Sequence, residues 1–277
     1  MGLRIATNVA SINAQKNLKT NADNLSRSLA RLSSGYRINQ SADDAAGLAI
    51  SENLRAQLRG MKQAWRNAND GVSLVQIAEG GLNEISNILS RFRELGIQAA
   101  SDTIGDTERK FVDVEYQQLK SELQRIAEST AFNGRDLLNG TGGMMDVQVG
   151  IYNDDFKDRI SFNTAGANAT LTALGMHTEA VGTKEQAQRS IAAVDNAIVS
   201  VNAIRANFGA VQNRLNSIIQ NLSISEENVS AANSRIRDTD VAEESSQVAR
   251  NSILQQAAVS VIQQANQMPA LALKLLS

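Results

Sequence analysis

Apolar residues recur at alternating spacings of four and three at both ends of this 277-residue chain. Ile5, Val9 and Ile12 are four and then three apart, and Leu25, Leu29, Leu32 and Tyr36 continue as four, three, four in a shifted register. At the opposite end Leu254, Ala258, Val261, Ala265, Met268, Ala272 and Leu275 hold the same alternation without interruption. Side chains at such intervals share one face of an α-helix, and a sustained four-three alternation is the pattern of helices packed side by side. The two ends therefore predict amphipathic helices with matching seams.

Two interior tracts repeat the pattern: Val75, Ala78, Leu82, Ile85, Leu89, Phe92 and Gly96, then Ile204, Phe208, Val211, Leu215, Ile218 and Leu222. A shorter helix is expected from Glu108 to Glu128, with Thr107 as its cap and Phe111, Val114, Leu119, Leu123 and Ile126 as its apolar contacts. Between these tracts the sequence changes character. Two Asn-Gly steps bracket a Leu-Leu pair in FNGRDLLNG (Phe132 to Gly140), and Asn-Gly tolerates the positive φ of tight turns. Val147, Val149 and Ile151 then alternate with polar residues, as do Ile160 and Phe162 after the turn-rich Asn153, Asp154 and Asp155. One or two β-hairpins are expected here. From Asn163 to Thr183 the chain is small and polar, which reads as a surface loop or a short extended segment.

The expected fold is mainly α: long antiparallel helices forming a coiled-coil-like rod, with a small β-hairpin region in the middle. The chain runs out, turns in the hairpin region and returns, so that its two ends lie side by side. Residues 1–45 and 236–277 are expected to be the two halves of a terminal-helix domain, and 46–235 the rod, with a short loop region at about 153–190. Helices with apolar seams of this length expose them unless they find neighbours, and exposed stripes mark association. A polymer subunit follows naturally.

Composition removes other classes. The net charge is −2 with nearly equal numbers of basic and acidic residues, so no nucleic-acid partner is expected. Aromatic residues are only 4%, which starves the chain of large rigid core anchors and suits close helix packing. There is no cysteine, hence no disulfide, thiolate metal site or cysteine nucleophile. No run of about 18 apolar residues occurs, so no membrane insertion is expected, and Arg4, Asn8 and Asn13 interrupt the opening where a cleaved signal peptide needs an apolar stretch. Lipid-binding amphipathic helices carry a Lys/Arg-rich face and bulky interfacial aromatics, which this chain lacks.

Catalytic constellations are not evident, and the chain is read as a non-enzyme without cofactors or metals. His177 is the single histidine and falls in the loop-like stretch without a Ser or Asp constellation around it. Neither HExxH nor a phosphate-binding glycine motif occurs. Asp43 and Asp44 are adjacent and so do not face each other on a helix; they read as first-turn acids behind a Ser41 cap. Asn168-Ala169-Thr170, Asn221-Leu222-Ser223 and Asn228-Val229-Ser230 fit the short N-glycosylation pattern, a weak signal, and Met144-Met145 reads as hairpin packing.

One longer motif is specific. LARLSSGYRINQSADDAAGLAISENLRAQ (Leu29 to Gln57) resembles the N-terminal signature of bacterial flagellins. The similarity extends over RIATNVASINAQKNL, NDGVSLVQIAEGGLNEISNIL, RFRELGIQAAS, FNGRDLLNG and VQVG. On the C-terminal side it covers FGAVQNRLNSIIQNLSISEENVSAANSRIRDTDVAEESS and ANQMPALALKLL. It covers most of the chain outside about 153–203, and helical heptads alone do not reproduce SSG, DDAAG and FNG in this order.

The resemblance implies an exported subunit that polymerises into the extracellular flagellar filament, with hook-associated junction proteins as the alternative. It implies terminal helices that form the inner tube of the filament and fold on assembly. Ile5, Val9, Ile12, Leu25, Leu29 and Leu32 at one end and Leu254, Ala258, Val261, Ala265, Met268 and Leu275 at the other are then the self-assembly residues. It implies passage through the flagellar export apparatus without a cleaved signal peptide, and an export chaperone touching Val261, Ile262, Met268 and Leu271. The further partners implied are paralogous flagellins, the filament cap and the hook-junction proteins. Arg91, Arg93, Glu94, Leu95 and Glu115 match the region that packs between protofilaments and is recognised by the innate immune flagellin receptor. Ignoring the family, Arg91 and Glu94 are ordinary solvated charges beside a buried seam.

Overall fold

The computed structural model describes residues 7–274, with side chains described as far as Gln267. Five helices and two hairpins follow one another: α1 (Val9–Ser34), α2 (Ala45–Ala100), α3 (Asp106–Ser129), β1 (Ala131–Phe132), β2 (Arg135–Asp136), β3 (Met144–Gln148), β4 (Arg159–Asn163), α4 (Lys184–Arg237) and α5 (Val241–Lys274). The chain divides into two compact units, Met1–Ala56 with Asn228–Ser277, and Gln57–Glu227. Those divisions fall inside α2 and α4, away from the expected 45/46 and 235/236.

In the first unit α1 and α5 run antiparallel. Asn8 Nδ2 donates to the Ala265 carbonyl at 2.8 Å near one end, and Arg31 stands 3.9 Å from Glu244 near the other. Gly35 ends α1 in the left-handed conformation, φ +73°, with its amide bonded to Arg31 O. The next residues join the end of α4 and its connection to α5: Arg37 N donates to Arg237 O at 2.7 Å, Thr239 N to Gly35 O at 3.0 Å, and the Arg237 guanidinium lies over the Tyr36 ring. α2 starts three residues later than the Ser41 cap predicts. Asp44 Oδ1 accepts the Gly47 amide at 2.8 Å and is the cap, while Asp43 Oδ2 accepts the amides of Asn39 and Gln40. A carboxylate next to the helix start outcompetes a hydroxyl three residues away. Gly47 has no alternative here, since a Cβ on it would lie 2.5 Å from Asp44 Oδ2 and 2.8 Å from Ile38 Cδ1.

In the second unit the α2 tract behaves as its spacing predicts: Val75, Ala78, Leu82, Ile85, Leu89 and Phe92 are fully buried. α4 turns Val194, Ala197, Val201, Ile204 and Phe208 to the same core. α3 departs from expectation. It begins at Asp106 behind an extended Gly105 with no side-chain cap, so Thr107 lies inside the helix. Phe111 and Val114 point to solvent, and the anchor is Tyr116, whose ring meets Phe92 at 4.4 Å between centroids. The seam through Tyr116, Leu123 and Ala127 is offset from the one read off Phe111 and Val114, which passes over the tyrosine and the alanine that face the core.

The Tyr116 hydroxyl is buried with no hydrogen-bond partner, and Ser190, close enough to favour the phenolate slightly, donates its own hydroxyl to Ala187 O. Burial pushes the phenol well above its ordinary range. The folded state thus keeps a proton that the unfolded chain releases above about pH 10, so this contribution to stability is complete below pH 10 and falls as pH rises beyond it. Tyr116→Phe is expected to flatten that alkaline slope and to match or exceed wild-type stability by about 1 kcal/mol at neutral pH. Urea titrations at a series of pH values measure both.

Both hairpins form. β1 and β2 pair Ala131 with Asp136 and Phe132 with Arg135 across Asn133-Gly134, and β3 pairs with β4 from Met144–Asn163 to Gln148–Arg159. The expected surface loop that follows is instead part of the core: Ala167, Ala169, Leu171, Leu174, Met176 and Val181 are buried. Its backbone survives burial because α3 satisfies it. Gln124 Oε1 accepts Leu171 N, Asp113 Oδ1 accepts Val181 N, and Lys120 Nζ donates at 2.8 Å to the carbonyls of both His177 and Glu179. Burial lowers the Lys120 pKa, the cost of holding an ammonium there. Lys120→Ala is expected to destabilise this unit by about 2 kcal/mol and to open 164–183 to limited proteolysis before the rest of the chain.

Candidate assembly surface

The α1–α5 pair is packed through its small and polar residues. Ser11, Ala14 and Ser28 are the buried side chains of α1, and Glu244, Asn251 and Ala265 those of α5 among the described residues. Asn8 caps α1 by accepting Ser11 N at 3.0 Å, and Ser11 Oγ donates to Asn266 Oδ1 at 2.8 Å. Such residues bring helices close but bury little apolar area, so the pair gains little hydrophobic stabilisation from its own interface.

The larger apolar side chains sit elsewhere. Val9 (54% exposed), Ile12 (55%) and Leu29 on α1, and Ile253, Leu254, Val259 and Val261 (53%) on α5, all face solvent. Leu25, Leu32, Ala258 and Ile262 are half-buried. Of the twelve seam residues read from sequence, Ala265 alone among those described is buried. Ile5 and Leu275, with the side chains of Met268 and Leu271, lie outside the described residues. Polar Ser11, Asn251 and Asn266, which carry the α1–α5 contact, gave no signal in an apolar pattern. A helix pair that closes on serine and asparagine and turns valine, isoleucine and leucine outward carries an exposed apolar stripe of the kind that marks association, and so belongs to the class of assembling subunits.

In the second unit Arg91 gathers two acids: its Nε donates to Glu115 Oε1 at 2.9 Å and its other nitrogens lie 2.8 Å from Glu94 and Glu115. Hydrogen bonding to Glu94, then to Glu115, raises the Arg91 pKa further above the physiological range. Arg93 pairs separately with Asp195 at 2.9 Å. Leu95 is only 1% exposed and belongs to the core, so it supports this surface from behind and offers it no contact atom. Gly96 also faces inward, where a Cβ would stand 3.1 Å from Ile191.

Among the described residues no helix is long and apolar enough to cross a membrane. Residues 5–142 match the bacterial flagellin N-terminal helical region, and residues 191–276 the bacterial flagellin C-terminal helical region. The chain is 41% identical over 269 residues to a flagellin of Halalkalibacterium halodurans, covering 97% of this chain and 98% of that one. It is 40% identical over 286 residues to a flagellar filament core protein of Brachyspira hyodysenteriae, covering 98% and 99%. The crystal structure of Bacillus cereus flagellin superposes with a TM-score of 0.51 at 33% identity, over 57% of this chain and 88% of that one. The chain belongs to the bacterial flagellins. It is a structural subunit of the extracellular flagellar filament, in the short form in which only residues 143–190 separate the two family regions.

Proposed function

We propose that residues 1–45 and 236–277 are the inner, terminal-helix part of the filament subunit and that its self-contacts run through the outward residues of α1 and α5: Val9, Ile12 and Leu29 with Leu254, Ala258 and Val261. The observation that carries this reading is the inverted packing of the pair, small and polar inside and large apolar outside. Residues 46–235 form the surrounding part, where the Arg91, Glu94 and Glu115 cluster with Arg93 meets neighbouring protofilaments or the animal flagellin receptor. Val261 and Ile262 are the described part of a chaperone-binding stretch, covered until the chain leaves through the export apparatus without a cleaved signal peptide. The cap, the hook-junction proteins and paralogous flagellins complete its partners, and its role is structural and not catalytic.

The absence of cysteine makes a direct test simple. Single cysteines at Ile12, Leu254 and Val261, each carrying a polarity-sensitive dye, are expected to shift to the blue on polymerisation, and one at exposed Thr172 to shift less. Equal shifts at all four positions would remove the basis for this surface.

A further inference from the structure

The two Asn-Gly steps of the β1–β2 region, six residues apart, sit in opposite chemical environments. Asn133 occupies the tip of the two-residue hairpin loop at φ +49°, exposed, followed by Gly134 at φ +76°. A Cβ on Gly134 would meet nothing within 4 Å. The ladder pairs Phe132 with Arg135 and leaves the Gly134 amide outside it. Among the described residues no hydrogen bond holds the Asn133 side chain or that amide. Asn139 is half-buried and fully engaged: its Nδ2 donates to Asp136 Oδ2 at 2.6 Å, and its Oδ1 accepts from Thr141 N at 2.9 Å and Thr141 Oγ1 at 2.7 Å. Asn168 crowds Gly140 from the far side, 2.6 Å from where a Cβ would be.

We propose that Asn133 is a site of spontaneous backbone modification in the folded subunit, and that Asn139 is protected from it. The Gly134 nitrogen, on losing its proton, attacks Asn133 Cγ; the new N–Cγ bond closes a five-membered succinimide as the Cγ–Nδ2 bond breaks and ammonia leaves. Water then adds to one of the two ring carbonyls. Opening at Cγ gives aspartate, and opening at the main-chain carbonyl gives isoaspartate, whose chain runs through Cβ and Cγ. One water is consumed, one ammonia released, and nothing is oxidised or reduced. Glycine permits the reaction because no side chain shields its nitrogen, and the open loop permits the ring to close.

The consequence for this fold is local and directional. Isoaspartate lengthens a two-residue loop that has room for two residues only, and adds a carboxylate at the tip. β2 leads directly into Leu137 and Leu138, both fully buried, so the turn that marks the age of a subunit also aims two core residues.

The test is peptide mapping by mass spectrometry of the full folded chain held at mildly alkaline pH, with the same chain in guanidinium chloride as reference. The need to break the hydrogen bonds of Asn139 slows its reaction by on the order of tenfold or more relative to Asn133. The expected result is amide-to-acid conversion with isoaspartate at Asn133 at nearly the unfolded rate, and Asn139 suppressed only when folded. An Asn133→Gln chain should lose the fast product and keep its fold. Equal rates at the two positions in the folded chain, or suppression of both, would overturn the proposal.

Discussion

Val261→Asp is expected to abolish filament growth while the monomer keeps its helix content and melting temperature. In the monomer Val261 is 53% exposed on the outer face of α5, so a carboxylate there remains hydrated. In the proposed filament contact the same position is covered, and an unpaired charge taken out of water costs roughly 3–5 kcal/mol. At about 1.4 kcal/mol per factor of ten, the critical concentration for polymerisation rises at least on the order of a hundredfold. Sedimentation of the polymer over a concentration series measures this. Ala265→Asp is a different lesion: Ala265 is buried against α1 and its carbonyl accepts from Asn8, so that variant should also loosen the monomer's helix pair. Filaments of Val261→Asp at wild-type concentrations would show that this face of α5 stays wet.

Arg109→Ala is expected to destabilise the second unit by about 3 kcal/mol. The Arg109 side chain is buried where α2 ends and α3 begins. Its Nε donates to Ala99 O at 2.8 Å, one terminal nitrogen reaches Ser101 O and Ile104 O at 3.3 Å each, and the other meets the exposed carboxylate of Asp106. The Ala99 carbonyl is one of the orphans that a helix end leaves, Ser101 and Ile104 belong to the connection that follows, and a guanidinium serves all three. Removing it leaves them buried and unpaired. Asp106→Ala should cost far less, because Asp106 is exposed and only one side of that pair is lost. Lys at position 109 should restore a small part of the loss, since one ammonium cannot span three acceptors set around a planar fork. The urea midpoint of the full chain reads all three variants.

Helix order was legible because periodicity is a property of large side chains, and in α2 and α4 those side chains make the core. Val75 to Phe92 could be assigned from spacing alone. Both hairpins were legible in their Asn-Gly and alternating residues. Residues that decide structure by polar contact were not. Arg109 and Lys120 belong to no apolar repeat, yet each buries a cation to satisfy backbone carbonyls of other segments. Asn163 to Thr183 read as surface because its residues are small and polar, yet Gln124, Asp113 and Lys120 of α3 supply the partners that allow it to be buried. Sequence spacing does not reveal a partner supplied by another element.

The terminal helices taught the reverse. Their apolar spacing correctly marked a stripe, but the stripe faces outward, and the contact between α1 and α5 passes through Ser11, Ala14 and Asn266, which a search for apolar repeats passes over. Within one chain such a pattern looks unfinished. In the proposed filament contact it has a physical purpose: a weak internal interface would leave the pair to be stabilised chiefly by neighbours, so that growth would occur at a filament end and be suppressed in solution.

Electron microscopy of the purified chain, seeded with short filament fragments and followed by hydrogen exchange, tests this most directly. Long filaments with α1 and α5 amides exchanging quickly in the monomer and protected in the polymer are the predicted result. Monomers that persist after seeding, with both terminal helices already fully protected, would contradict it.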